Sequence, residues 1–119
     1  MFKDALRDIV ERTDGSIAGL LMGFDGITVE HYLRDGATLD VETVGMEYSV
    51  ILMQVAKAAE LLDAGAAKEL SISAERLTTV IRVVNDEYFV AMTLGPNGNT
   101  GKGRFLLRTL APKLVSELT

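Results

Sequence analysis

Apolar residues recur every three or four positions in three stretches of the chain, the spacing expected of amphipathic helices. The stretches lie within residues 2–15, 40–65 and 101–118. Asp40 is a good N-cap for the second helix, which continues without proline until Gly65 can close it. The third stretch contains Pro112, which removes one backbone donor, so we expect the helix to kink or restart there.

Five runs between these helices have the apolar patterns of β-strands. They are SIAGLLMGF, ITVEHYLRD, KELSISAE, LTTVIRVVN and EYFVAMTLG. Asp25-Gly26 predicts a hairpin between the first two. The links between the last three are too short for helical crossovers, which predicts an antiparallel meander. The pattern therefore predicts one α+β domain over residues 1–119, with the order α-β-β-α-β-β-β-α and helices on both faces of a five-stranded antiparallel sheet.

The long second helix carries two apolar stripes when its residues are placed at 100° intervals. The first, which we expect to cover the sheet, contains Val44, Tyr48, Ile51, Val55, Ala58, Ala59 and Leu62. The second contains Met46, Val50, Met53 and Leu61 and is interrupted at Lys57. One face of one sheet cannot bury both stripes. Either the final helix or a loop covers the second stripe, or it is a partner surface, for which methionines suit adaptable packing.

The run KELSISAE offers a second contact, because its small and polar alternating residues are typical of an edge strand. Its residues Glu69, Ser71 and Ser73 are therefore candidate interface positions. A symmetric dimer would pair the same helix seam, and the same strand edge, from two copies of the chain.

Composition and charge narrow the classes of function. The formal net charge of −5 disfavours nucleic acid and anionic membrane surfaces as partners. The chain has no cysteine and one histidine, His31, which predicts a protein without metal or other cofactor. No apolar run reaches the roughly 18 residues of a membrane span, and the N-terminus lacks the apolar region of a signal peptide. We therefore expect a cytoplasmic protein without membrane insertion.

The segment GPNGNTGKG, residues 95–103, is the strongest candidate for chemistry because it follows an apolar strand and precedes a helix. A phosphate-binding loop of the G-x-x-x-x-G-K-[ST] type needs a glycine where this chain has Pro96, and a hydroxyl where it has Gly103. We interpret the segment as a connection. His31 lacks a proposed nucleophile or orienting carboxylate, and the acidic residues are interspersed with basic ones, so we predict no catalytic site.

Three segments, taken in order, resemble the Roadblock family, which includes the dynein Roadblock light chains and bacterial regulators of Ras-like gliding-motility GTPases. They are ALRDIVERTDGSIAGLLMGFDGITV, YSVILMQVAKAAELLDAG and GKGRFLLRTLAPKL. The resemblance covers nearly the whole chain and implies a profilin-like sheet in a non-catalytic regulator or scaffold.

The resemblance also implies how the chain associates. Such domains usually form homodimers through the long helix and the middle strand, here Met46, Val50, Met53 and Lys57 on the helix and residues 68–75 on the strand. The bacterial regulators contact a Ras-like small GTPase with the helix-bearing surface of the dimer, without an inserted arginine finger. Two alternatives remain: a stand-alone dimeric adaptor without a GTPase partner, and a small-molecule sensor with a ligand between the sheet and the long helix.

Overall fold

The computed structural model describes residues 1–118, which form three helices and one five-stranded antiparallel sheet. The helices are α1 (Phe2–Glu11), α2 (Val41–Leu61) and α3 (Thr100–Leu118). The strands are β1 (Ser16–Gly23), β2 (Thr28–Leu33), β3 (Glu69–Ser73), β4 (Thr78–Val83) and β5 (Tyr88–Leu94). This order along the chain confirms the predicted α-β-β-α-β-β-β-α arrangement.

The strands lie in the order β2-β1-β5-β4-β3, and every pairing is antiparallel. The hairpin β1-β2 and the meander β3-β4-β5 are both present as predicted, and pairing of β1 with β5 joins them. The sheet therefore ends in β2 at one edge and in β3 at the other. Each of these two strands pairs on one side only within the described chain, so each has a free row of backbone polar groups.

The helices divide between the two faces of the sheet. α1 and α3 cover one face and α2 lies on the other. Alternation along β1 sends Leu21 to the first core and Leu20 and Met22 to the second. Since β1 contributes to both cores, its near-continuous burial explains why its sequence is apolar on both sides.

The face that α2 turns toward the sheet differs from the predicted one. Its buried residues are Val41, Gly45, Ser49 and Leu52, whereas Ile51 is 39% exposed and Ala58 and Leu62 are exposed. The first stripe was therefore predicted wrongly at Ile51, Ala58 and Leu62. Its other four residues are half-buried: Val44, Tyr48, Val55 and Ala59. A Cβ at Gly45 would lie 2.3 Å from Cδ2 of Leu20. Gly45 and Ser49 allow the helix to approach the sheet closely, so small residues define this face together with larger buried side chains.

Both ends of α2 are defined locally. The backbone N–H of Thr43 donates to Oδ1 of Asp40 at 3.2 Å, which confirms the predicted N-cap. Hydrogen bonds from Thr43 also lower the pKa of Asp40. The helix ends at Leu61, before Gly65, because Asp63 already adopts a left-handed φ of 56°.

α3 continues through Pro112 from Thr100 to Leu118. The helix does not restart at Pro112, so that part of the prediction is wrong. Leu106, Leu107, Ala111 and Leu114 stay buried along one side, and this continuous packing holds the helix together across the missing backbone donor.

Candidate interaction surface

Four apolar side chains of α2 are exposed on the side turned away from the sheet. Met46 is 54% exposed, Val50 56%, Met53 54% and Leu61 78%. Together with the exposed Lys57 they form what we call the α2 stripe. Among the described residues neither α3 nor a loop covers it, since α3 packs on the opposite face of the sheet. The stripe has the composition of a partner surface, with two methionines in an apolar row bordered by Glu42, Gln54 and Glu60.

The β1-β2 hairpin extends this apolar surface at one end of the stripe. A Cβ at Gly26 would lie 3.8 Å from Cγ of Met46, which places the hairpin tip beside the helix. Ile27, next in the chain, is exposed. The sequence pattern did not single out Ile27 as a surface residue.

A groove of about 630 Å³ runs between the second half of α2, the following loop and the β4-β5 turn. Its apolar walls include Phe24, Leu52, Met53, Ala56 and Val83. Its polar lining includes Lys57, Glu60, Asp63, Asn85 and Asp86. Because Met53 and Lys57 belong to both features, the groove is continuous with the α2 stripe.

The three candidate residues of β3 do not share a face with the α2 stripe. Glu69 points toward α3, where Nη2 of Arg104 donates to its Oε2 at 2.6 Å. Ser71 and Ser73 alternate with it on the same face, and Oγ of Ser73 lies 3.3 Å from Oγ1 of Thr78. Leu70 and Ile72 instead pack with the core under α2. What β3 offers to a second copy is therefore its free backbone edge.

The glycine-rich segment before α3 is a structural connection. The N–H groups of Gly95 and Asn99 donate to the carbonyls of Gly15 and Asp14, at 2.9 and 2.8 Å. The N–H of Lys102 donates to Oδ1 of Asn99, which caps α3. A Cβ at Gly15 would lie 2.5 Å from Cα of Gly98. These amides therefore face protein acceptors rather than a phosphate-sized opening.

Other candidate chemistry does not assemble in the described residues. His31 is half-buried on β2, and its backbone N–H donates to Oε1 of Glu30 at 3.0 Å. Residues 1–118 contain no group of three histidine or acidic side chains placed to hold a metal ion. Over the same residues, none of the helices combines the length and the apolar character needed to cross a membrane.

Comparison with known proteins gives matches among solved structures only. No family model and no curated protein sequence matches the chain. The crystal structure of MglC from Myxococcus xanthus is similar over 98% of this chain and 98% of that one, with 39% sequence identity and a TM-score of 0.71. A Roadblock/LC7 domain from Streptomyces avermitilis matches at a TM-score of 0.85, covering 98% of this chain and 96% of its own, with 13% identity. The chain belongs to the Roadblock family.

A further Roadblock-fold structure, MglB with a tetrameric arrangement, has a TM-score of 0.85 to this chain at 16% identity. The match covers 95% of this chain and 84% of that one. At 13% and 16% identity these two structures establish the fold, whereas the MglC match, at 39%, carries the membership. The Roadblock resemblance of the sequence is thereby confirmed.

Proposed function

We propose that this Roadblock protein is a homodimeric, non-catalytic regulator or scaffold that binds a small Ras-like GTPase. The observation that carries the proposal is the α2 stripe, whose four apolar side chains are each more than half exposed. Burial of this row by a partner would contribute a favourable free energy of roughly 25 cal/mol for every square ångström of apolar surface removed from water. A second copy and a GTPase are the partners that family membership favours.

The proposed dimer joins two like elements from each copy. Met46, Val50, Met53, Lys57 and Leu61 of one α2 pack against the same residues of the other. The free edge of β3, with Glu69, Ser71 and Ser73, pairs with its own copy and extends the sheet. The tetrameric arrangement of MglB supports self-association as a property of this fold. An isologous contact of this kind closes on itself and leaves no unpaired seam.

The proposed GTPase contact lies on the surface that the two α2 helices build together. The supporting observation is the apolar surface that continues from the stripe to the hairpin tip at Ile27 and into the adjoining groove. An acidic border formed by Glu60, Asp63 and Asp86 would orient a partner with basic switch-region residues. The proposed role is regulation by binding, with the nucleotide chemistry carried out by the GTPase.

A binding experiment with separate nucleotide states tests the GTPase partner. Ras-like GTPases from the same genome are loaded with GDP or with a non-hydrolysable GTP analogue and passed over the immobilised chain. We expect one of them to bind in a nucleotide-dependent way and to change its hydrolysis or exchange rate. Binding should weaken in Ile27→Glu, because this places a charge in the apolar contact. If no Ras-like GTPase binds in either state, the dimeric adaptor becomes the better proposal.

A second candidate function, small-molecule sensing, is favoured by one observation. The groove of about 630 Å³ has a volume within the range of ligand sites. A ligand bound there would raise the melting temperature by an amount that grows with the logarithm of the ratio of its concentration to its dissociation constant. Thermal unfolding across a panel of metabolites tests this, and a shift abolished by Ala56→Trp, which fills the groove, would support the sensor.

A further inference from the structure

An electropositive cluster lies on the face of the sheet opposite the α2 stripe. Arg82 on β4 pairs in register with Glu69 on β3, and Arg104 on α3 donates to the same carboxylate at 2.6 Å. Arg108 follows Arg104 by one helical turn, so both project from the same side of α3. Three arginines therefore surround one glutamate in a chain whose formal net charge is −5.

Only one of the three arginines has its charge matched. Arg104 forms the ion pair with Glu69, whereas Arg82 and Arg108 form no ion pair with an acidic side chain of residues 1–118. Hydrogen bonding from Arg104, together with the charges of Arg82 and Arg108, lowers the pKa of Glu69, which agrees with their closeness. The cluster keeps an excess of positive charge at neutral pH.

An exposed aromatic ring accompanies this charge. Phe105 lies between Arg104 and Arg108 in α3 and is 53% exposed, although α3 buries its other large apolar residues at least partly. Aromatic residues, phenylalanine among them, and arginine are enriched in protein interfaces relative to the rest of the surface. Guanidinium groups also match carboxylates through paired, planar hydrogen bonds.

We propose that the α3–β3 face binds an acidic peptide segment of a partner protein, with Arg82 and Arg108 pairing with its carboxylates and Phe105 contacting one of its apolar residues. A protein segment fits better than nucleic acid or an anionic membrane. Those partners present extended negative surfaces that the net charge of −5 repels. A short peptide segment contacts only the local arginine cluster and not the acidic remainder of the chain.

This inference goes beyond the proposed function, because the site faces away from the α2 stripe. The α2 stripe and the α3–β3 face lie on opposite sides of the sheet, so a partner bound to one surface leaves the other surface accessible. A chain with both surfaces can hold two different partners together. The α3–β3 site therefore gives the scaffold role a second attachment point.

A random peptide library displayed on phage tests the site without a known ligand. The library is selected on the full chain and, in parallel, on Arg108→Glu. We expect peptides rich in Asp and Glu with at least one apolar residue to be enriched on the wild type and lost on Arg108→Glu. The exposed side chain of Arg108 makes no hydrogen bond or ion pair within residues 1–118, so its replacement should leave folding intact.

Titration of one enriched peptide then separates site binding from general attraction. Arg108→Glu and Phe105→Ser should weaken binding by about fivefold or more, because each removes a direct contact. Lys113→Glu makes the same change in charge on another side of α3 and should weaken binding by less than about twofold. Equal losses in Arg108→Glu and Lys113→Glu would overturn the proposal, as would enrichment of peptides without acidic residues.

Competing occupants give distinct results in the same titration. Single-stranded DNA and phosphatidylserine vesicles are added at the same concentration of negative charge as the peptide. Displacement of the peptide by either would show that the face binds nucleic acid or membrane, and would overturn the proposal. Assembly beyond the dimer that Arg108→Glu abolishes would instead identify a further copy of the chain as the occupant and overturn the proposal. The variants lie on α3 and replace no residue of the α2 stripe or of β3, so each should still dimerise, and sedimentation of each variant distinguishes failure here from failure of the proposed function.

Discussion

At the residue scale, Arg34 shows how one side chain can hold two elements together. It follows β2, and its guanidinium donates to the carbonyls of Val10 and Ser16 at 2.6 and 2.9 Å. It also donates to Oε2 of Glu11 at 2.9 Å and to Oγ of Ser16 at 3.0 Å. These bonds tie the end of the β1-β2 hairpin to the turn between α1 and β1. No simple sequence motif predicts that Arg34 makes these hydrogen bonds.

We predict that Arg34→Met lowers the free energy of unfolding by about 2 kcal/mol, because it leaves partly buried carbonyls without their charged donor. Arg34→Lys should recover only part of the loss, since an ammonium cannot reproduce the planar fork. The control is Arg12→Met, which removes an exposed ion pair with Asp8 and should cost no more than about 0.5 kcal/mol. Urea unfolding measures all three; equal losses at Arg34 and Arg12 would contradict this role.

At the element scale, the packing of α2 depends on a glycine. A Cβ at Gly45 would meet Leu20 at 2.3 Å and Met22 at 2.8 Å, and both neighbours are buried. We predict that Gly45→Ala lowers the free energy of unfolding by about 1 kcal/mol, because overpacking outweighs the gain in helix propensity. In α3, Gly101→Ala meets nothing closer than 3.8 Å and should raise stability by up to about 0.5 kcal/mol. Thermal unfolding of the two variants should shift in opposite directions.

The same helix shows what the sequence could predict and what it could not. Asp40, the Asp25-Gly26 hairpin and the apolar periodicities were sufficient for the order and type of every element. The orientation of α2 was not predictable in this way, because Gly45 and Ser49 face the sheet and carry no apolar signal. The exposed Met46 and Met53 were identified because two stripes exceed what one sheet face can bury. The sequence did not predict the cluster of arginines around Glu69, because its residues come from β3, β4 and α3, which are separated along the chain.

At the scale of the whole molecule, the two faces of the sheet have different surfaces. The α2 side offers an apolar row continuous with a groove that has acidic residues in its lining. The α3 side offers arginines around a single glutamate. In the proposed dimer, pairing of the β3 edges would join two such sheets. The dimer would then present two apolar α2 surfaces and two arginine-containing α3 surfaces.

Sedimentation equilibrium at micromolar concentrations shows whether two copies of the chain associate through the α2 stripe. We predict a mass twice the 12.9 kDa of one chain for the wild type. Met53→Glu should sediment at the single-chain mass, because an unpaired charge in an apolar seam is costly. Ile51→Glu, the same kind of change outside the stripe on the same helix, should remain at twice the mass. A wild type that stays at 12.9 kDa, or a Met53→Glu that still sediments at twice that mass, would rule out pairing through the α2 stripe.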